Sequence, residues 1–256
     1  HRELGLRRGD RHDPGGRPHQ LAAGGVAVEL IEALRTTGAV RDFTDEPVPD
    51  DVLARVLDTA RFAPSGGNRQ GWQVVVVTDG DIRCALRDLY LAGWYEYVAI
   101  TMAGLTPWAP VTDREAEARA VAAAPQVADQ AGGQRGGFAE HLDEVPVLLA
   151  LFADLRVLAA VDRDHDRYTF AGGASVYPFA WNLLLAAREE GLAGVITTMP
   201  IRREAEVREL LGAPDHLALA AVIALGHPVH QPRRLRRAAV ADFTHVDRLD
   251  GRPFGT

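Results

Sequence analysis

The chain has 256 residues, 47% hydrophobic and 25% charged, with a formal net charge of −7. That length buries a substantial core in one large domain or two small ones, and the acidic balance stands against a nucleic-acid binder. The single cysteine, Cys84, forms no internal disulfide and cannot supply a multi-cysteine zinc or iron–sulfur centre.

Residues 1–25 are rich in Arg, Gly, His and Pro and lack the apolar core of a signal peptide, so they read as a disordered N-terminal extension. The folded domain is expected over 26–256. Val28, Ile31 and Leu34 lie at helical spacing and predict a helix over 27–36, broken by Gly38. Residues 39–44 read as extended. Pro47 and Pro49 exclude a helix there, and Asp50 or Asp51 caps the next one, with Leu53, Val56, Leu57 and Ala60 on its apolar face. Ala63 to Asn68 carries strong turn chemistry. The β-branched run from Gln73 to Val77 predicts a buried strand.

A helix is expected over 81–90. An aromatic segment follows, with Trp94, Tyr95, Tyr97 and Trp108, and reads equally as a substrate lid or as helices packing on a dimer. Residues 112–137 predict a helix and then a mobile loop at Gly132, Gly133, Gly136 and Gly137. Val145 to Phe152 predicts a second buried strand, with a polar connection over 153–169. Val176, Phe179, Ala180, Leu183, Leu184 and Ala187 form a helical stripe over 175–190, stopped by Gly191. A short strand is expected at 195–198, a helix over 202–211 and a third buried strand over 217–225. The tail after Pro232 has no hydrophobic face of its own. No apolar run approaches the roughly 18 residues that cross a bilayer, so no membrane is expected as a partner; the acidic balance sets aside a nucleic acid, and with a lone cysteine the compartment expected is the cytoplasm. Periodicity alone implies a sheet buried between helical layers, an α/β sandwich.

The common catalytic motifs are missing: no P-loop, no G-x-G-x-x-G after a strand, no G-x-S-x-G elbow and no H-E-x-x-H. His165 and His216 sit near acids but read as solvated loop residues, so no metal site is expected. The loop PSGGNRQGW, Pro64 to Trp72, is the most informative segment. Ser65, Asn68 and Gln70 offer donors and acceptors, while Gly66 and Gly67 permit close backbone approach to a heteroaromatic ring or a polyol. A simple turn is the plain alternative.

The stretch VRDFTDEPVPDDVLARVLDTARFAPSGGNRQGWQVVVV resembles the N-terminal signature of the nitroreductase family. PFAWNLLLAAREEGLAGVITT is similar to that family's central helix and the turn after it, and LGHPVHQPRRLRR is a weaker match. The resemblance spans most of residues 28–240. It implies an α+β fold, a three-layer sandwich with a central, mostly antiparallel sheet flanked by helices, dimeric, with FMN at the subunit interface. It also implies NAD(P)H as hydride donor and a small-molecule electron acceptor. Pro64, Ser65, Gly66 and Asn68 would approach FMN from the partner subunit, with Gln70 holding the loop. Val195, Ile196, Thr197 and Thr198 would lie along the isoalloxazine ring. Arg234 and Arg236 would reach the phosphate, the alternative being a solvated basic tail.

The family places Arg-Arg-Ser or Arg-His-Ser just before its R-x-F segment as a phosphate contact, where this chain has Thr37, Gly38 and Ala39. Thr37 with Arg35 or Arg41 is then the expected substitute. No general acid or base is named, because flavin itself carries the redox step. Three functions follow. One is an FMN-dependent NAD(P)H oxidoreductase acting on a nitroaromatic, quinone or related electrophile. The second is a non-catalytic flavin-binding or sequestering protein. The third is a specialised biosynthetic flavin dehydrogenase on the same fold.

Overall fold

The computed structural model describes residues 28–131 and 137–255. The extension read at 1–25, and Gly132, Gly133 and Gly136 of the expected glycine loop, lie outside the described residues.

Four strands, β1 (Trp72–Val76), β2 (Val147–Asp154), β3 (Ala193–Thr197) and β4 (Leu217–Gly226), form one sheet in the order β1-β2-β4-β3. Every strand pair is antiparallel. This makes the protein α+β, as the resemblance implies, and corrects the α/β class that periodicity suggested. The only parallel pairing among the described residues is an isolated bridge from Ala39 to Gly194.

Strand side chains alternate between faces, and both faces of β2 are covered. Leu149, Leu151, Ile223 and Leu225 meet α2 (Asp50–Ala60) and α6 (Tyr177–Glu189) through Leu53, Val56, Phe179 and Leu183. Leu148, Phe152, Val222 and Ala224 meet α3 (Gly80–Met102) and α7 (Glu204–Leu210) through Leu86, Tyr90 and Val207. The alternation slips once. Leu151 pairs with Ala221, but Phe152 pairs with Leu219, so Ala220 is an extra residue on β4. Its carbonyl accepts the Tyr177 hydroxyl at 3.1 Å.

Five expectations change. β1 is an edge strand, not a buried one; Val76 is 41% exposed. The helix expected over 81–90 continues to Met102 and takes in Trp94, Tyr95 and Tyr97, because residues 90–100 are apolar on several faces and no proline intervenes; Trp108 lies beyond its end. In α1 (Leu30–Thr36) the apolar residues whose spacing predicts the helix face outward: Ile31 is 59% exposed, and Ala33 is the buried residue. Residues 114–131 form two helices, α4 (Arg114–Ala122) and α5 (Ala124–Ala131). The helix expected over 202–211 divides into a 3-10 turn, Met199–Arg203, and α7. Gly191, at φ 75°, ends α6 as expected.

Candidate functional site

The loop that joins α2 to β1 is a wound turn. Gly67, Asn68 and Gln70 all have positive φ, a conformation that Gly and Asn tolerate best. The Ser65 carbonyl accepts the Asn68 N–H at 2.9 Å, and the Ser65 Oγ accepts the Gln70 N–H at 3.0 Å. Gln70 Nε2 donates to Asn68 Oδ1 at 3.2 Å, so Gln70 braces the loop. Gly66 donates its N–H to Ser175 Oγ at 3.0 Å. A Cβ on Gly71 would lie 2.7 Å from Val157 Cγ2, which lets the loop sit flat on the segment after β2. Pro64, Gly66, Asn68 and Gln70 are exposed and Ser65 is half-buried. The Ser65 hydroxyl proton, the Gly67 N–H and the Asn68 side-chain amide remain free to donate to a ligand.

A second group of candidates gathers along β3. Val40 donates its N–H to the Gly194 carbonyl at 2.9 Å. Gly194 is needed there, since a Cβ would lie 2.3 Å from the Ala224 carbonyl oxygen. The chain after β4 then runs back beside residues 36–44. Thr44 donates to the His227 carbonyl, Val229 to the Asp42 carbonyl, and Gln231 Nε2 to the Thr36 carbonyl. This return brings Arg233, Arg234 and Arg237 to Arg35 around a cleft of about 410 Å³, lined also by Leu34 and Leu235. Among the described residues no carboxylate pairs with any of these four guanidiniums. The nearby Thr37 hydroxyl is buried without a partner. A Cβ on Gly38 would lie 2.9 Å from Leu235 Cδ2, so the tail roofs the position where an arginine of the tripeptide would stand.

An unpaired cation cluster fits a phosphate monoester, whereas the buried Thr37 hydroxyl does not line the cleft. Of the expected contacts, Arg35 and Arg234 share this cleft. Arg236 does not line it, and Arg41 is on the rim of a different cavity of about 560 Å³ with Phe43, Asp45, Phe138, His141 and Glu144.

Ile196 and Thr197 are half-buried at the end of β3, and Thr198 is exposed just beyond it. Burial pushes up the pKa of the Tyr90 phenol, and the neighbouring Thr197 side chain pulls it back in part. Tyr90 begins a ladder of rings along α3: Trp94 at 6.4 Å, then Tyr97 at 5.5 Å from Trp94, then Trp108 at 6.1 Å from Tyr97. Arg202 covers the Trp108 ring at 5.0 Å and donates to Glu96 Oε2 at 2.9 Å. Gly93 seats α3 directly on the turn after β3, where a Cβ would lie 2.7 Å from the Met199 carbonyl. The rings of the aromatic segment thus pack on one another and on Arg202 within the chain.

The two halves of the candidate site do not meet within one chain. The Ser65–Asn68 turn leads into β1 and Thr197 ends β3, on opposite edges of the sheet. Three strand spacings separate those edges by about 14 Å. Sequence reasoning missed Ser175, Tyr90 and Asp162. No group of three or more His, Cys, Asp or Glu among the described residues is arranged to hold a metal ion.

Residues 34–227 match the model of the Nitroreductase family. Iodotyrosine deiodinase 1 of Rattus norvegicus is 26% identical over 202 residues, 78% of this chain and 62% of that protein. The chain thus spans less than two thirds of that relative's length. A Thermus thermophilus NADH dehydrogenase is 28% identical over 221 residues, 75% of this chain and 83% of that protein. A solved FMN and NADPH-dependent nitroreductase, NfnB from sphigopyxis sp. strain HMH, superposes with a TM-score of 0.58 at 26% identity, covering 86% of this chain and 99% of the other.

Proposed function

From the premise that this chain belongs to the nitroreductase family, we propose that it is a homodimeric FMN-dependent oxidoreductase. It passes reducing equivalents from NAD(P)H to a nitroaromatic, quinone or related electrophile. The observation that carries this reading is the split site. A ring-binding turn on one sheet edge and a phosphate-type cleft with the Thr197 segment on the other are what a cofactor shared between two chains requires.

Bound FMN would supply the electron transfer, and the protein supplies binding and orientation. Arg35 and Arg234 hold the phosphate. Ser65, Gly67 and Asn68 of the partner subunit donate to the polar parts of the cofactor. Thr197 and Thr198 border the ring, with Tyr90 beside Thr197. Outward-facing apolar residues suit a subunit contact that crosses the sheet: Leu30, Ile31 and Leu34 on α1, Phe62 after α2, and Tyr177 and Trp181 on α6.

The test is the absorption spectrum of the purified protein. Bound FMN that bleaches anaerobically with NADH or NADPH is expected. A colourless protein that takes up no FMN overturns the proposal. The second reading, a flavin-binding or sequestering protein, is favoured by Gly38 and the Leu235 roof in place of an arginine contact. It predicts FMN that neither pyridine nucleotide reduces, and rapid turnover with menadione eliminates it. The relatives named iodotyrosine deiodinase add a halogenated aromatic to the acceptors worth assaying. The biosynthetic dehydrogenase alternative is separated by product analysis with oxygen as sole acceptor.

A further inference from the structure

The connection after β2 holds an aromatic loop that nothing above uses. Asp162 is 3% exposed. Its Oδ2 accepts the N–H groups of Phe170 at 2.9 Å and Ala171 at 3.2 Å, and Arg167 Nη1 at 2.9 Å. One carboxylate thereby closes residues 162–171 into a ring. The backbone donors hold its pKa down to about 2, so the loop stays closed at any physiological pH.

The closed loop turns two rings outward, Tyr168 at 60% and Phe170 at 76% exposure. Each carries a guanidinium on one face: Arg167 sits 4.7 Å above Phe170 and Arg114 sits 5.8 Å above Tyr168. Arg114 also donates to the Tyr168 oxygen and pairs with Glu117 at 3.0 Å. The adjoining charges largely cancel, with Arg163 3.6 Å from Asp164 and Asp166 exposed beside them.

This loop and the Ser65–Asn68 turn form one unit. Phe170 leads into the 3-10 turn Ala171–Ser175, and Ser175 Oγ takes the Gly66 N–H. On the other arm, Ala159 packs 3.8 Å from the Cβ position of Gly66, and Leu158 and Ala160 cover Gly172. Wherever the turn meets a ligand, Phe170 and Tyr168 travel with it.

We infer that the Tyr168–Phe170 loop is an acceptor subsite, contributed to the partner subunit's cofactor site, for a planar electron-poor aromatic that bears an anionic oxygen group. The inference rests on the two-chain reading above. The free face of Phe170 stacks on an electron-poor ring, and the Arg114 guanidinium, which stays half exposed in its pair with Glu117, attracts the carboxylate or nitro oxygens. A neutral or aliphatic acceptor finds only one of these partners or neither.

The test compares 4-nitrobenzoate with nitrobenzene on the holoprotein, by steady-state kinetics and by calorimetric titration of the acceptor. Wild type is expected to show the lower KM for 4-nitrobenzoate, an advantage that shrinks with added salt. Phe170→Ala raises the KM for 4-nitrobenzoate about tenfold with a smaller change in kcat. Phe170→Tyr restores it, whereas Phe254→Ala, on the tail, leaves it unchanged. Arg114→Gln removes the discrimination between the two acceptors. Equal KM values for both in wild type, or an unaltered KM in Phe170→Ala, overturn the inference. So does conversion of Phe170→Ala to monomers, which would make the ring a subunit contact. Missing flavin would defeat the functional reading instead. The titration then still decides the subsite, because 4-nitrobenzoate must bind wild type more tightly than Phe170→Ala.

Discussion

Ser175 Oγ accepts the Gly66 N–H at 3.0 Å, across 109 residues of sequence, and so ties the turn before β1 to the turn before α6. Replacing Ser175 with Ala removes this acceptor and leaves the Gly66 N–H to water. The cost to global stability is expected to stay near 1 kcal/mol, since the bond is exposed. The effect on FMN is expected to be larger in proportion, a several-fold weaker Kd measured by flavin fluorescence quenching, because the turn loses its fixed orientation. Unchanged FMN affinity would show that the turn does not touch the cofactor.

Arg35 and Arg234 share one cleft without a carboxylate partner among the described residues. Either Arg→Gln change should weaken FMN but not riboflavin, which lacks the phosphate. The ratio of the two affinities is expected to fall about tenfold per arginine, and to fall with salt in wild type. Arg236→Gln, outside the cleft, tests the alternative assignment. A larger effect there than at Arg35 would move the phosphate to the other side of the tail.

Asp162 sets an acid limit. Its folded pKa, about 2, lies below the usual carboxylate value, first through the Phe170 N–H and then through Arg167. A depressed pKa contributes stability above the unfolded value near 4, and that contribution is lost as pH falls toward 2. Asp162→Asn is therefore expected to unfold more easily at pH 7 and to show a flatter loss of stability between pH 4 and 2. Thermal melts across that range read both. Parallel acid limbs for the two proteins would remove Asp162 from the account.

How much of this was legible follows from the kind of signal each residue leaves. α2 and α6 bury one stripe against the sheet, and their apolar spacing announced them. β1 was legible as a strand but not as an edge, because Val74 to Val76 read the same whether one neighbour or two pair with them. In α1 the spacing found the apolar face but not what lies opposite it, and that face is outward in a single chain. The turn at Ser65–Asn68 was visible through its glycines and amides. Asp162 was not, since it stands in the run Asp162-Arg163-Asp164-His165-Asp166-Arg167, which reads as a solvated connection. Its function depends on two backbone N–H groups eight and nine residues later, and side-chain pattern carries no trace of that. Tyr90 was hidden for a related reason: only the fold brings it to Thr197.

Arg83 holds a junction rather than a site. Its guanidinium donates to the carbonyls of Val77 at 2.9 Å and Asp143 at 2.8 Å, and to that of Val145. It thereby ties the end of β1, the start of α3 and the approach to β2. Burial lowers its pKa. Arg83→Met keeps the stem and strands three acceptors, so a loss of roughly 2–4 kcal/mol is expected in denaturant unfolding. Arg83→Lys, with one donor centre in place of a fork, should recover only part of it. A loss under 1 kcal/mol for the methionine variant would mean that water replaces the clasp.

The split between Ser65–Asn68 and Arg35–Arg234 has a consequence that mixing experiments read directly. Take one chain with Asn68→Ala and another with Arg35→Gln and Arg234→Gln, each too weak to retain FMN, and join them as a differently tagged heterodimer. If each cofactor lies between the turn of one chain and the cleft of the other, the heterodimer holds one wholly intact site and one site damaged on both sides. Flavin content is then expected at about half the wild-type value, with wild-type affinity at the occupied site. If turn and cleft of the same chain served one cofactor, every site would carry damage and no tight binding would return. The about 14 Å between the two sheet edges favours the first outcome, and the absence of recovery in a verified heterodimer would remove the partner subunit from the site.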